Sequence, residues 1–111
     1  MVAQESFAWH QTESNQKIPE LPLADAIFVG GTGGDTKDIV TMCNGKLKPG
    51  ARIVIGVILI ETLYAVLDVI YKLGLSDIDI TQVTISKSKK TSTGTMMLAR
   101  NPVTIISATK T

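Results

Sequence analysis

Two stretches of the chain, residues 26–29 and 52–58, are apolar almost throughout, and each is followed by a segment in which apolar residues recur at helical spacing. A strand covered on both faces reads as a continuous apolar run, so both predict strands of a parallel sheet with helices on either side. After the first run, Ile39, Val40, Cys43 and Leu47 fall on one face of a predicted helix. Asp35 can cap its amino end and Asp38 puts negative charge in its first turn. Lys48-Pro49-Gly50 is expected to stop this helix and turn the chain. After the second run, Leu63, Val66, Leu67 and Ile70 repeat at i, i+3, i+4 and i+7, and Gly74 is placed to close the helix in the left-handed conformation.

Further on the period changes to two. Ile78, Ile80, Val83 and Ile85 alternate with polar residues, with a phase shift near Gln82 that reads as a bulge, so this strand belongs near a sheet edge. Residues 87–94 are polar and basic and predict a mobile hairpin loop, and the last extended stretch is broken at Asn101-Pro102. The order is β-α-β-α-β-β, with parallel strands first and an antiparallel hairpin at the carboxyl end. Residues 1–20 show no sustained period and predict a mobile polar arm. Its Phe7 and Trp9 are candidates to dock on the body or on a second subunit, and Pro19 and Pro22 bracket the entrance to the folded part.

Composition narrows the partners. A chain of 111 residues holds one domain, and 11 Lys plus Arg against 10 Asp plus Glu gives no charge imbalance that calls for nucleic acid or an anionic membrane. One cysteine, Cys43, and one histidine, His10, provide neither an internal disulfide nor a thiolate and imidazole cluster for a metal. The pattern predicts a reducing, cytoplasmic setting, with no apolar run reaching the roughly 20 residues of a membrane span. Cys43 lies on the apolar helix face, which marks it as a small core residue rather than a nucleophile.

Candidate chemistry concentrates where the first strand empties into Gly30-Gly31-Thr32-Gly33-Gly34-Asp35. Ligands of α/β proteins sit at the carboxyl ends of strands, and glycines let a ligand reach backbone N–H groups at a helix mouth. A tight strand-to-helix turn without a ligand is the plain alternative. Gly31-Thr32-Gly33 is not a dinucleotide fingerprint, because Thr36 stands where the third glycine would be. The lysines of Lys87-Ser88-Lys89-Lys90 either attract an anionic ligand or form a solvated loop.

The segments Asp25-Ala26-Ile27-Phe28-Val29-Gly30-Gly31-Thr32-Gly33-Gly34, Leu47-Lys48-Pro49-Gly50-Ala51-Arg52-Ile53-Val54, Glu61-Thr62-Leu63, Thr81-Gln82-Val83, Gly94-Thr95-Met96 and Asn101-Pro102-Val103 follow one another in an order that resembles the decarboxylating precorrin-6Y and cobalt-precorrin C15-methyltransferases of cobalamin biosynthesis. The resemblance covers residues 21–107. It implies a class I, Rossmann-like methyltransferase sheet, here truncated to its last four strands. It further implies S-adenosylmethionine as cofactor, a corrinoid precursor as substrate, and tetramers. Glu61 and Thr62 are carried over as substrate-cleft residues, with an ordinary helix start as the alternative, and Asn101 either lines the same cleft or satisfies backbone groups at the kink. The glycines are not the family's cofactor loop, but Gly31, Thr32, Gly33 and Gly34 offer N–H groups to a cofactor or substrate at the helix mouth, where Asp35 is either the N-cap or a contact to a polar ligand group.

The family's first half, with its cofactor loop and ribose-holding acid, has no counterpart here. Gly56 and Leu59 also stand where the family usually has Asn and a capping Thr. Losing half a sheet leaves residues 26–29 as an exposed apolar edge, which predicts either a homo-oligomer, through edge pairing or the carboxyl-terminal hairpin, or a separately encoded amino-terminal half. Three functional readings follow: a split methyltransferase, a non-catalytic oligomeric remnant of that family, and a small nucleotide or anion binder using the glycine turn.

Overall fold

The structure, a computed structural model, describes residues 2–5, 8–11, 21–30 and 36–111. Its centre is β4 (Leu47–Val57), which runs parallel to β3 (Ala24–Val29) on one side and antiparallel to β8 (Val103–Thr109) on the other. β5 (Ser76–Val83) pairs antiparallel with β8 and forms an edge, as its alternation predicts. The strand order β3-β4-β8-β5 makes a mixed α/β sheet that ends in the expected antiparallel pair.

The amino-terminal residues depart from expectation. β1 (Val2–Glu5) and β2 (Ala8–Gln11) form a hairpin, and β1 pairs antiparallel with β3, giving the full order β2-β1-β3-β4-β8-β5. Residues 2–5 and 8–11 of the polar arm are therefore strand here, and the β3 edge predicted to be bare is paired. Unpaired N–H and C=O groups of an apolar strand recruit any segment able to extend beside them, and polar residues do so as readily as apolar ones. Trp9 lies in β2 opposite Gln4, while Phe7 lies outside the described residues.

Helices α1 (Thr36–Gly45) and α2 (Ile60–Lys72) pack side by side on one face of the sheet, not on both. Burial alternates accordingly. Ile27, Val29, Ile53, Ile55, Val57, Ile106 and Ala108 point into the core beneath Val40, Cys43, Val66, Val69 and Ile70. On the opposite face Phe28, Val54, Ile105 and Val83 remain half-buried or exposed, and among the described residues no helix covers them. The apolar run of β4 is thus the signature of a strand apolar on both faces, of which this chain covers one.

Local differences have local causes. α1 ends at Gly45, and Leu47, expected on its buried face, begins β4 instead, where it is buried beside Ala24. Lys48-Pro49-Gly50 makes an irregularity inside the strand: the register shifts between Ala24 and Ala26, and Gly50 takes φ +84°. The bulge of β5 is not at Gln82 but between Ser76 and Asp79, where Asp77 adopts φ 52°. Gly74 closes α2 at φ +72°, as the sequence predicts. Residues 87–90 are not loop: β6 (Ser86–Lys90) pairs with β7 (Thr95–Ala99) in a separate two-stranded ribbon, all of whose side chains are exposed.

Candidate functional site

The register of the sheet gathers the predicted site residues at one end. Val29 pairs with Ile55, Val57 with Thr104, and Val83 with Val103, so Gly30, residues 58–62 and residues 101–103 all lie at the carboxyl ends of β3 and β4. Glu61 is exposed in the first turn of α2, Thr62 is half-buried one residue on, and Asn101 is exposed in the β7–β8 connection. Gly31, Thr32, Gly33, Gly34 and Asp35 lie outside the described residues. On either side of them, Gly30 follows the end of β3 and buried Thr36 opens α1.

Two features of this end escape a sequence reading. A Cβ at Gly30 would come within 2.9 Å of Phe28 Cε1, so the half-exposed ring of Phe28 lies against the strand end and would have to swing aside for a larger residue. Gly56 faces the open side of β4 opposite Ile105, with nothing within 4 Å of an ideal Cβ there. A shallow apolar trough follows, bounded by Phe28, Val54 and Ile105. A glycine within an apolar strand is the signal that could have found it, since such a residue marks the close approach of another surface.

The β6–β7 ribbon rises from the same end, rooted where Arg100 N–H donates to the Ile85 carbonyl at 2.8 Å. Lys87 and Lys89 share one ribbon face with Leu98 and Met96, their register partners, and Lys90 stands on the other face beside Thr95. The basic cluster is thus held on a strand, at the edge of the candidate site.

Away from this end two groups are structural. Cys43 is fully buried and its thiol is pushed up to about 12 by desolvation, which removes it as a nucleophile. Arg52, midway along β4 on the open face, donates Nη1–H to Asp77 Oδ2 at 2.8 Å and Thr109 Oγ1 at 2.6 Å, and Nη2–H to Ser107 Oγ at 2.7 Å. One guanidinium thus ties β4 to both β8 and β5. Leu59 occupies the N-cap of α2 and gives no side-chain cap, as its departure from the resembled pattern implies.

The described residues do not by themselves fit a whole methyl-donor cofactor. The strand beside β3 on its free side is β1, which runs antiparallel, so at the carboxyl end of β3 it presents its own start at Val2 and not a strand running out into a loop and helix. One wall of a cleft is present, made by Gly30, the apolar trough and residues 58–62.

The sheet order, two helices on one face and one wall of a cleft at the carboxyl ends of the parallel strands are those of a Rossmann-like methyltransferase fold. More narrowly, residues 2–110 match the family model of the precorrin methyltransferase domain, and the chain belongs to that family. It is 40% identical over 90 residues to a probable cobalt-precorrin-6B C(15)-methyltransferase (decarboxylating) of Methanothermobacter thermautotrophicus, covering 81% of this chain and 45% of the relative. Among solved structures it is similar to a precorrin 8W decarboxylase of Methanobacterium thermoautotrophicum, with TM-score 0.75 and 34% identity over 89% of this chain and 53% of that one. A precorrin-6y C5,15-methyltransferase of Geobacter metallireducens gives TM-score 0.75 and 28% identity, over 91% and 52%. The chain spans about half the length of the relatives it matches.

Proposed function

We propose that this chain forms the carboxyl-terminal half of a decarboxylating C15-methyltransferase of cobalamin biosynthesis, acting in the cytoplasm on a precorrin-6 or cobalt-precorrin-6 ring. The observation that carries the reading is the one-sided sheet. An apolar face with Phe28, Val54 and Ile105 uncovered beside Gly30, Gly56, Glu61, Thr62 and Asn101 is half of a cleft, and it calls for a second layer. Names and identities of the relatives supply the chemistry.

In this reading S-adenosylmethionine supplies an electrophilic methyl group, held chiefly by the half of the relatives' length that these 111 residues do not span. Gly31, Thr32, Gly33, Gly34 and Asp35 contribute N–H groups and a carboxylate at the mouth of α1. Glu61, Thr62 and Asn101 face the corrinoid, and Lys87, Lys89 and Lys90 on the ribbon attract its peripheral carboxylates. The chain's own task is to position the ring, which is a large part of methyl transfer between bound partners. The isolated chain is expected to be inactive. It is also expected to self-associate through the β6–β7 ribbon, because a lone two-stranded ribbon with exposed Met96, Met97 and Leu98 gains little from folding unless it packs on a copy.

A specific observation favours a second reading, that of a folded remnant without catalysis: β1 already fills the edge of β3. Titration calorimetry with S-adenosylhomocysteine separates the two. Heat of binding only after addition of the amino-terminal half of a relative supports the split enzyme; silence in both titrations leaves the remnant. Micromolar binding by the 111 residues alone would overturn the assignment of the cofactor to the half of the relatives that they do not span.

A further inference from the structure

The turn that carries β4 into α2 is apolar where turns are ordinarily polar. Ile58, Leu59 and Ile60 follow one another directly after the strand and are 59%, 63% and 80% exposed. Three large aliphatic side chains in a row on a surface work against solubility unless something covers them. Leu59 carries a second cost, because it stands at the N-cap of α2 and makes no side-chain cap, although its backbone is already extended there. A hydroxyl or carboxylate at that position would accept an orphan N–H and stabilise the helix. Local stability given up at one position of a cleft is the mark of a binding role.

We propose that Ile58, Leu59 and Ile60 are specificity-determining residues of the cleft, forming an apolar lip for the flat face of a polycarboxylated macrocycle. The inference rests on the methyltransferase reading for the class of ring, and adds the side chains that hold it. Gly56, two residues before the lip, leaves open space where a Cβ would stand, so a flat ligand can lie close to the backbone there. Residues 53–60 carry no charged side chain, so this part of the wall recognises apolar surface alone.

The occupant follows from what stands beside the lip. Val57 pairs with Thr104 and Thr104 with Gln82, so the end of β4 lies two strands, about 10 Å, from the end of β5. From there the ribbon rises, rooted at Ile85 and Arg100, with Lys87 and Lys89 on one face. An apolar lip and a cationic strand set this far apart call for one ligand with an apolar body and an anionic periphery. A small anion spans too little to touch both, and a plain apolar compound leaves the lysines unused. A ring with carboxylates around its rim uses the two together.

Coproporphyrin III, a tetrapyrrole with carboxylates on its rim, is the probe, and its fluorescence anisotropy is followed as the 111-residue chain is added. Half-saturation is expected on the order of 10 μM, weakening with salt as the lysines are screened. Leu59→Thr should weaken binding roughly fivefold or more while raising the thermal midpoint, so the loss cannot come from unfolding. Ile58→Ser should act in the same direction, and Lys87→Gln with Lys89→Gln should weaken binding and flatten its salt dependence. Tyr71→Ser, exposed near the far end of α2, should change nothing. Butanetetracarboxylate, which has carboxylates and no ring, should displace the probe roughly a hundredfold less well than unlabelled macrocycle does. Absence of saturable binding, wild-type binding by Leu59→Thr, an equal loss at Tyr71→Ser, or equal competition by butanetetracarboxylate would each overturn the lip. So would a Leu59→Thr chain that keeps the probe but no longer binds the amino-terminal half of a relative, which would give the lip to a protein layer. The methyltransferase reading is decided separately, by the S-adenosylhomocysteine titrations.

Discussion

Removing the Arg52 guanidinium tests how β4, β8 and β5 are tied together on the open sheet face. Arg52→Met keeps the alkyl stem on the sheet and deletes the contacts to Asp77, Thr109 and Ser107. The ion pair is the weaker part, since Asp77 is 81% exposed at its side chain and such pairs contribute about 0–1 kcal/mol. The part-buried hydrogen bonds to the Thr109 and Ser107 hydroxyls add about 1 kcal/mol each. The expected loss is therefore about 2–3 kcal/mol. Urea unfolding followed by circular dichroism reads it directly, with an m-value that stays the same if only stability has changed. The ordering is the sharper result: Asp77→Asn should cost less than about 1 kcal/mol and the double variant Thr109→Val with Ser107→Ala more. A loss at Arg52→Met of under 0.5 kcal/mol, or an Asp77 effect that exceeds that of the hydroxyls, would refute the reasoning, because it would mean that the three-strand tie is not what the contacts say.

Leu59→Thr places a hydroxyl at an exposed N-cap whose backbone, at φ −80° and ψ 139°, already suits capping, and should raise stability by about 1 kcal/mol, seen as a rise of several degrees in the thermal midpoint. Gly74→Ala forces a side chain to φ +72° and should cost about 1–2 kcal/mol in the same assay. Cys43 should resist a thiol reagent in the native chain and react once urea unfolds it. Its thiol ionises near 9.0 when unfolded and only at about 12 when folded, so its contribution is fully present below pH 9 and is lost as pH rises toward 12. The wild type should accordingly lose about 1.4 kcal/mol per pH unit more than Cys43→Ala across that window.

The sequence by itself determined the parts whose cause is local. The helical repeat of Leu63, Val66, Leu67 and Ile70, the closure at Gly74, the missing cap at Leu59 and the edge character of β5 each follow from residues within a turn or two of one another. The positions of Glu61, Thr62 and Asn101 beside strand ends followed in the same way, because strand ends and turn chemistry show in short windows. Pairing across the chain was legible only for the parallel pair β3–β4 and the antiparallel pair β5–β8. That Arg52 reaches Asp77, Thr109 and Ser107 depends on β8 returning between β4 and β5, and no local window records it.

The arm shows the limit most clearly. Residues 2–5 and 8–11 carry no strand pattern, yet they pair because β3 offers an unfilled edge, so their structure is decided by the neighbour and not by their own propensity. Likewise, an apolar run says that both faces of a strand can be buried and not which face is. Only the placement of α1 and α2 on the same side decided that, and it left the other face open.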